Sequence, residues 1–276
     1  MGKFKILTIL GARPQFIKAS VVSNEFAKTK NISEIILHTG QHFDENMSGI
    51  FFSELSLKKP NINLNINSMK INHMLSLMIK KIDNFKIKKK PDVILVYGDT
   101  TSTLAGAIAA ANNKKSIIHI EAGLRSNFFF QPEEINRKLT DSLSEVLFCP
   151  TKSAQKNLVK ENNNNKLIFS GDVMYDIALI ARKICPSINF IKEKYDFNYN
   201  NYNILTIHRA ENIGFKKRLI ELIDYVRHQS RKYPIIMPVH PSTNKQLKKF
   251  NISLKQITLI PPLSYLEMTS LLLNSK

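Results

Sequence analysis

Short apolar runs alternate along the chain with stretches in which apolar residues recur at helical spacing. Phe4–Leu10, Glu34–His38, Val93–Tyr97, Ile117–Ile120, Leu147–Pro150 and Leu167–Ser170 read as buried parallel strands. Between them, Phe16–Ala27, Asp44–Leu55, Asn72–Lys86, Ser102–Ala111, Thr151–Glu161 and a stretch opening at Pro132 follow helical periodicity. Met74 and Met78, one turn apart, belong to the core. Ile135, Leu139, Leu143 and Val146 mark the expected buried face of the Pro132 helix, and the asparagine-rich segment Pro60–Lys70 reads as a loop. A further helix opens at Gly171-Asp172-Val173, and Cys185–Tyr202 reads as the connection to a second unit. That unit offers strands at Asn203–Ile207, Ile235–Val239 and Ile257–Ile260, and helices at Phe215–Lys232, up to Phe250 and at Ser264–Leu273. The pattern predicts an α/β protein of a six-stranded first unit and a smaller second one.

Every strand of such a sheet delivers the residues after it to one rim, where open α/β sheets bind ligands. Asp99 follows Val93–Tyr97 and Glu121 follows Ile117–Ile120, so one βαβ unit places two carboxylates on that rim. They are candidates for acid/base chemistry; alternatively, Asp99 caps the following helix and Glu121 is a solvated loop residue. Gly11-Ala12-Arg13-Pro14 joins the first strand to its helix, and Arg13 and Lys18 with the helix amino terminus suit an anion. It is not the GxGxxG fingerprint, and a plain βα loop is the other reading. Glu133 and Glu134 suit a helix dipole whatever else they do. His208 and His240 end two strands of the second unit and are functional candidates.

Composition narrows the class. The 276 residues are 43% hydrophobic, enough for two ordinary cores, and no stretch approaches a membrane span, so a cytoplasmic protein is expected. The formal charge of +18 would suit anionic partners, but the lysines are scattered and no aromatic-interleaved basic stripe accompanies them. Neither nucleic acid nor membrane is expected as a partner. Cys149 and Cys185 form no metal or disulfide pattern, so no metal or cofactor is expected. Phe128-Phe129-Phe130 is an apolar loop that calls for a partner.

Taken together, GARPQFIK, TGQH, YGDTTSTLAG, HIEAGLRS, PEEINR, GDVMYD, TIHRAEN and PVHP occur in the order found in non-hydrolysing UDP-N-acetylglucosamine 2-epimerases, which nearly the whole chain resembles. The resemblance implies a GT-B-like fold of two doubly wound Rossmann-like domains, residues 1–172 and a partial, UDP-binding 173–276, usually a homodimer, and C2 epimerisation by elimination and readdition of UDP. It implies an acid/base set of Asp99, Glu121 and Glu133, with His208 near the leaving phosphate. It implies substrate contacts at Arg13, Lys18, Arg125, Arg137, His240, Leu263 and Met268, and allosteric contacts at Gln41 and His42, although residues 67–74 hold no arginine to complete the latter. The family continues into a DSGG-QEE segment that this sequence lacks. The expectation is therefore a carboxyl-terminally truncated chain with an incomplete second domain, either completed by a separate fragment or silent. A 2-epimerase for a UDP-diacetamido-uronic acid is the neighbouring alternative.

Overall fold

The computed structural model describes residues 2–41, 54–67, 70–126, 128–161, 165–254 and 256–276. His42 and all but the end of the expected helix Asp44–Leu55 lie outside them. The chain divides into two compact units, Met1–Ile177 and Ala178–Lys276, a boundary inside a helix and a few residues past the expected one.

The first unit is built on strands β1 (Phe4–Leu10), β2 (Ile32–His38), β3 (Ile62–Asn63), β4 (Val93–Tyr97), β5 (Ser116–Ile120), β6 (Val146–Cys149) and β7 (Lys166–Phe169). They form one sheet in the order β3-β2-β1-β4-β5-β6-β7, parallel throughout. Helices α1 (Arg13–Lys28), α2 (Ile71–Lys89), α3 (Thr101–Asn112), α4 (Pro132–Leu143) and α5 (Lys152–Lys160) connect them. The order reverses direction between β1 and β4, which makes the carboxyl ends of those strands the topological switch point. Met74 and Met78 lie in the core with Leu7, Ile9 and Val96.

Two expectations need correction here. Pro60–Lys70 is not all loop: Ile62, Leu64 and Ile66 alternate with asparagines, and Leu64 N donates to His38 O at 2.8 Å, extending the edge beyond β3. The stripe Ile135, Leu139 and Leu143 of α4 is not its buried face; these residues are 45%, 47% and 39% exposed. The helix buries Glu134, Thr140 and Asp141 instead, because two of those groups find charged partners inside the unit.

Helix α6 (Val173–Ile184) crosses the boundary between units. The second unit carries β8 (Asn203–Ile204), β9 (Ile235–Pro238) and β10 (Ile257–Ile260) in a parallel sheet of order β10-β9-β8. Its helices are α7 (Ile188–Tyr195), α8 (Ala210–Ile213), α9 (Lys216–Ser230), α10 (Pro241–Lys249) and α11 (Tyr265–Leu273). Cys185–Tyr202 is no mere connection. It contains α7, and Ile191, Phe197 and Tyr202 form a core with Ile236, Ile260, Leu263 and Leu271.

Candidate active site

The site of the first unit is a set of paired charges on neighbouring strand ends. Tyr97 of β4 pairs in register with Ile120 of β5, so Asp99 and Glu121 leave the sheet side by side. Each meets its own cation. Arg137 of α4 reaches Asp99 Oδ2, and Lys18 of α1 reaches Glu121 Oε2. Asn136 Nδ2 also holds the Asp99 carbonyl at 2.9 Å. Asp99 is not the cap of α3. Thr100 is, with its hydroxyl accepting from Thr103 N while Thr103 Oγ1 accepts from Thr100 N. Glu121 is no solvated loop residue either, since its side chain is largely buried and its φ is +71°, a left-handed conformation that a residue with a Cβ adopts only under constraint.

Behind this pair lies a buried network that motif reading missed. His119, wholly buried on β5, sets Nδ1 2.8 Å from Asp141 Oδ1 and Nε2 2.7 Å from the Gly98 carbonyl. Asp141 Oδ2 accepts from Gly123 N at 3.2 Å and from Arg125 Nη1 at 2.7 Å. Burial alone would push the Asp141 carboxyl up, but bonds and charge from His119 and Arg125 outweigh it and hold the group below its ordinary range. Arg125 spends its remaining fork on Glu161, at 2.8 and 2.6 Å. Its guanidinium, expected at the substrate, is thus committed to the protein: it braces the loop after β5.

Gln15 has the same character. Its Oε1 accepts from Gly11 N at 2.8 Å and Ala12 N at 3.0 Å, while Nε2 donates to Tyr97 O and Thr103 Oγ1, both at 2.9 Å. Two amides that the sequence offered to an anion are therefore occupied. Lys18 is likewise paired with Glu121, while burial lowers the pKa of Arg13 against the attraction of Glu54. The histidine set in the apolar run of β5 and the Gln inside GARPQ were the available signals for this network, and neither reveals a partner distant in sequence.

At PEE the first carboxylate, Glu133, is exposed, and the second, Glu134, is 1% exposed. Glu134 Oε2 accepts from Ser126 N at 3.0 Å and from Arg137 Nη1 at 2.6 Å, so it anchors the cation that holds Asp99. Gln41 Oε1 accepts from the Ser102 hydroxyl at 2.6 Å, at the amino end of α3.

In the second unit His208 is exposed just after Ile207, whose carbonyl accepts from Thr243 Oγ1 of α10. His240 caps that same helix: Nδ1 accepts from Ser242 N at 3.3 Å. The two histidine loops are thus tied together. Leu263, one of the expected ligand contacts, is buried in the apolar cluster of this unit, and Met268, partly buried, packs against it. Among the described residues no group of three acidic, histidine or cysteine side chains could hold a metal, and no helix is long and apolar enough to cross a membrane.

Comparison with known proteins agrees with the motifs. The family model for UDP-N-acetylglucosamine 2-epimerase matches residues 24–276. A UDP-N-acetylglucosamine 2-epimerase homolog of Methanococcus maripaludis is 46% identical over 99% of this chain and 77% of its own length. The UDP-2,3-diacetamido-2,3-dideoxy-D-glucuronate 2-epimerase of Pseudomonas aeruginosa is 44% identical over 98% of this chain and 76% of its own. The crystal structure of Methanocaldococcus jannaschii UDP-GlcNAc 2-epimerase in complex with UDP-GlcNAc and UDP superposes with a TM-score of 0.88 at 41% identity, covering 98% of this chain and 77% of that one. The fold is the GT-B-like α/β fold of these enzymes. With two carboxylates on adjacent strand ends, eight motifs in order and matches along almost its whole length, the chain belongs to the UDP-N-acetylglucosamine 2-epimerase family.

Proposed function

We propose that the protein interconverts UDP-N-acetylglucosamine and UDP-N-acetylmannosamine, supplying a precursor for surface polysaccharide in the cytoplasm. The observation that carries this reading is the placement of Asp99 and Glu121 on adjacent strand ends, each against a cation from another helix. Epimerisation at C2 needs a base to take the C2 proton as the C1–O bond to UDP breaks. It then needs an acid to return a proton to C2 on the other face of the glycal as UDP adds back. Asp99, Glu121 and Glu133 form the acid/base set. Arg137 and Lys18 hold Asp99 and Glu121 in place, and become donors to the diphosphate once substrate competes for them. Arg13 serves the same anion; in the second unit, the UDP-binding domain of this reading, His208 and His240 stand on loops joined by the Thr243–Ile207 bond and serve the nucleotide phosphate.

The enzyme works as a homodimer in this reading. Ile135, Leu139 and Leu143 on α4, with exposed Phe128, Phe129 and Phe130, form an apolar face whose occupant is a second copy. Purified chain incubated with UDP-N-acetylglucosamine in deuterium oxide should yield the manno epimer with deuterium at C2. UDP binding without exchange would overturn the reading. The 44% identity to the Pseudomonas aeruginosa enzyme favours one second reading, turnover of UDP-2,3-diacetamido-glucuronate, and a side-by-side assay of the two sugars decides between them.

A further inference from the structure

The buried network behind the strand ends has no direct part in the proposed chemistry, yet every branch of it meets the Gly98–Asp99 turn or the loop after Glu121. His119 is its centre. An acceptor faces each ring nitrogen: the Asp141 carboxylate at Nδ1 and the Gly98 carbonyl at Nε2. The other oxygen of Asp141 accepts from Arg125 and Gly123, so the carboxyl is held on both sides. A carbonyl can only accept, so Nε2 donates to Gly98 while Nδ1 pairs with Asp141, and the ring bridges the two.

Gly98 is the point where this grip reaches the site. Its amide donates to the Ile120 carbonyl at 2.9 Å, and its φ of +64° is ordinary for glycine. A Cβ added there would lie 3.5 Å from Lys18 Nζ and 3.8 Å from Glu121 Oε2, so the Lys18–Glu121 pair rests directly over this residue. One residue on, Asp99 faces Arg137. The far end of the network fixes Glu121 from the other side, since Asp141 and Asn157 hold both polar groups of Gly123.

We propose that His119 is the positioning residue of the active site, a buried bridge that clamps the Gly98 peptide to Asp141 and so sets the spacing of the Asp99 and Glu121 carboxylates. This rests on the epimerase reading for its kinetic expression and on geometry alone for its structural one. An error of about 1 Å in the placement of reacting groups costs on the order of 100-fold in rate.

The test compares H119F, which has no donor, with H119Q, whose amide can still donate to the Gly98 carbonyl. For H119F the expected result is a loss of about 100-fold in kcat with KM for UDP-N-acetylglucosamine changed by less than about threefold. H119Q should recover part of the kcat. Amide hydrogen exchange should quicken at residues 98–101 and 121–125 in H119F while β1 and β2 stay protected. An H119F enzyme as active as wild type overturns the proposal. So does a loss that follows the folded fraction, with exchange rising evenly across the unit. If wild-type chain transfers no deuterium to C2, the epimerase reading fails while the local exchange pattern still decides the role of His119.

Discussion

Asp141 and Arg137 show what a buried charge costs when its partner goes. Replacing Asp141 by alanine leaves His119 and Arg125 without their shared carboxylate, and a broken buried pair costs about 3–5 kcal/mol. Urea unfolding of D141A should show that loss, and a value under about 1 kcal/mol would mean that water replaces the carboxylate. The sign of its pH dependence follows from the direction of the shift. The folded carboxyl lies below its unfolded value, so its stabilisation is present above the ordinary carboxylate range and disappears as pH falls through the folded value. Glu267 behaves alike: burial would raise it, but Lys194, Ser264 N and Tyr195 hold it down. Glu34 has the opposite sign, its carboxyl raised by burial despite bonds from Thr8 and Ser23. Glu34→Gln should therefore raise the melting temperature at neutral pH, by an amount that shrinks as pH is lowered; an unchanged temperature at neutral pH would contradict it.

At the scale of elements, capping and catalytic geometry separate cleanly on α3. Thr100 carries the cap and Asp99 does not, so Thr100→Ala should cost about 1 kcal/mol of stability, whereas Asp99→Asn should abolish turnover and leave the helix cap intact. An Asp99→Asn enzyme that keeps full turnover would remove Asp99 from the acid/base set. The first loop is fixed more tightly still. A Cβ on Gly11 would sit 1.9 Å from Ser102 Oγ and 2.2 Å from Thr39 Oγ1, so Gly11→Ala must part β1 from α3. Helix α4 has two working faces: the inner one, with Glu134 and Asp141, organises the site, and the outer one is apolar.

For the whole molecule, that outer face makes a prediction about assembly. Ile135→Lys with Leu139→Lys should yield monomers in analytical ultracentrifugation without lowering the thermal stability of the first unit, because both side chains are already about half exposed. A wild-type chain that is monomeric at high concentration would remove the dimer. Cys149 contributes no chemistry on this scale: burial, with the nearby Asp141 charge, pushes its thiol up to about 11, as befits a packing residue.

The sequence alone determined the alternation of strands and helices, the parallel sheet and the strand-end positions of Asp99, Glu121 and His240, because periodicity and glycine-marked turns are local signals; β8 stops at Ile204, so His208 lies in the loop beyond it. Motif order likewise pointed to the family without coordinates. The pairings were a different matter. Which carboxylate of PEE turns inward, that Arg125 serves Asp141 rather than a ligand, that Gln15 fills the first loop's amides and that His119 grips Gly98 all depend on contacts between residues far apart in the chain. The apolar stripe of α4 carries the same lesson: periodicity reveals that a helix has two faces, but only packing against the sheet decides which one is inside, and here bonded charges took the interior.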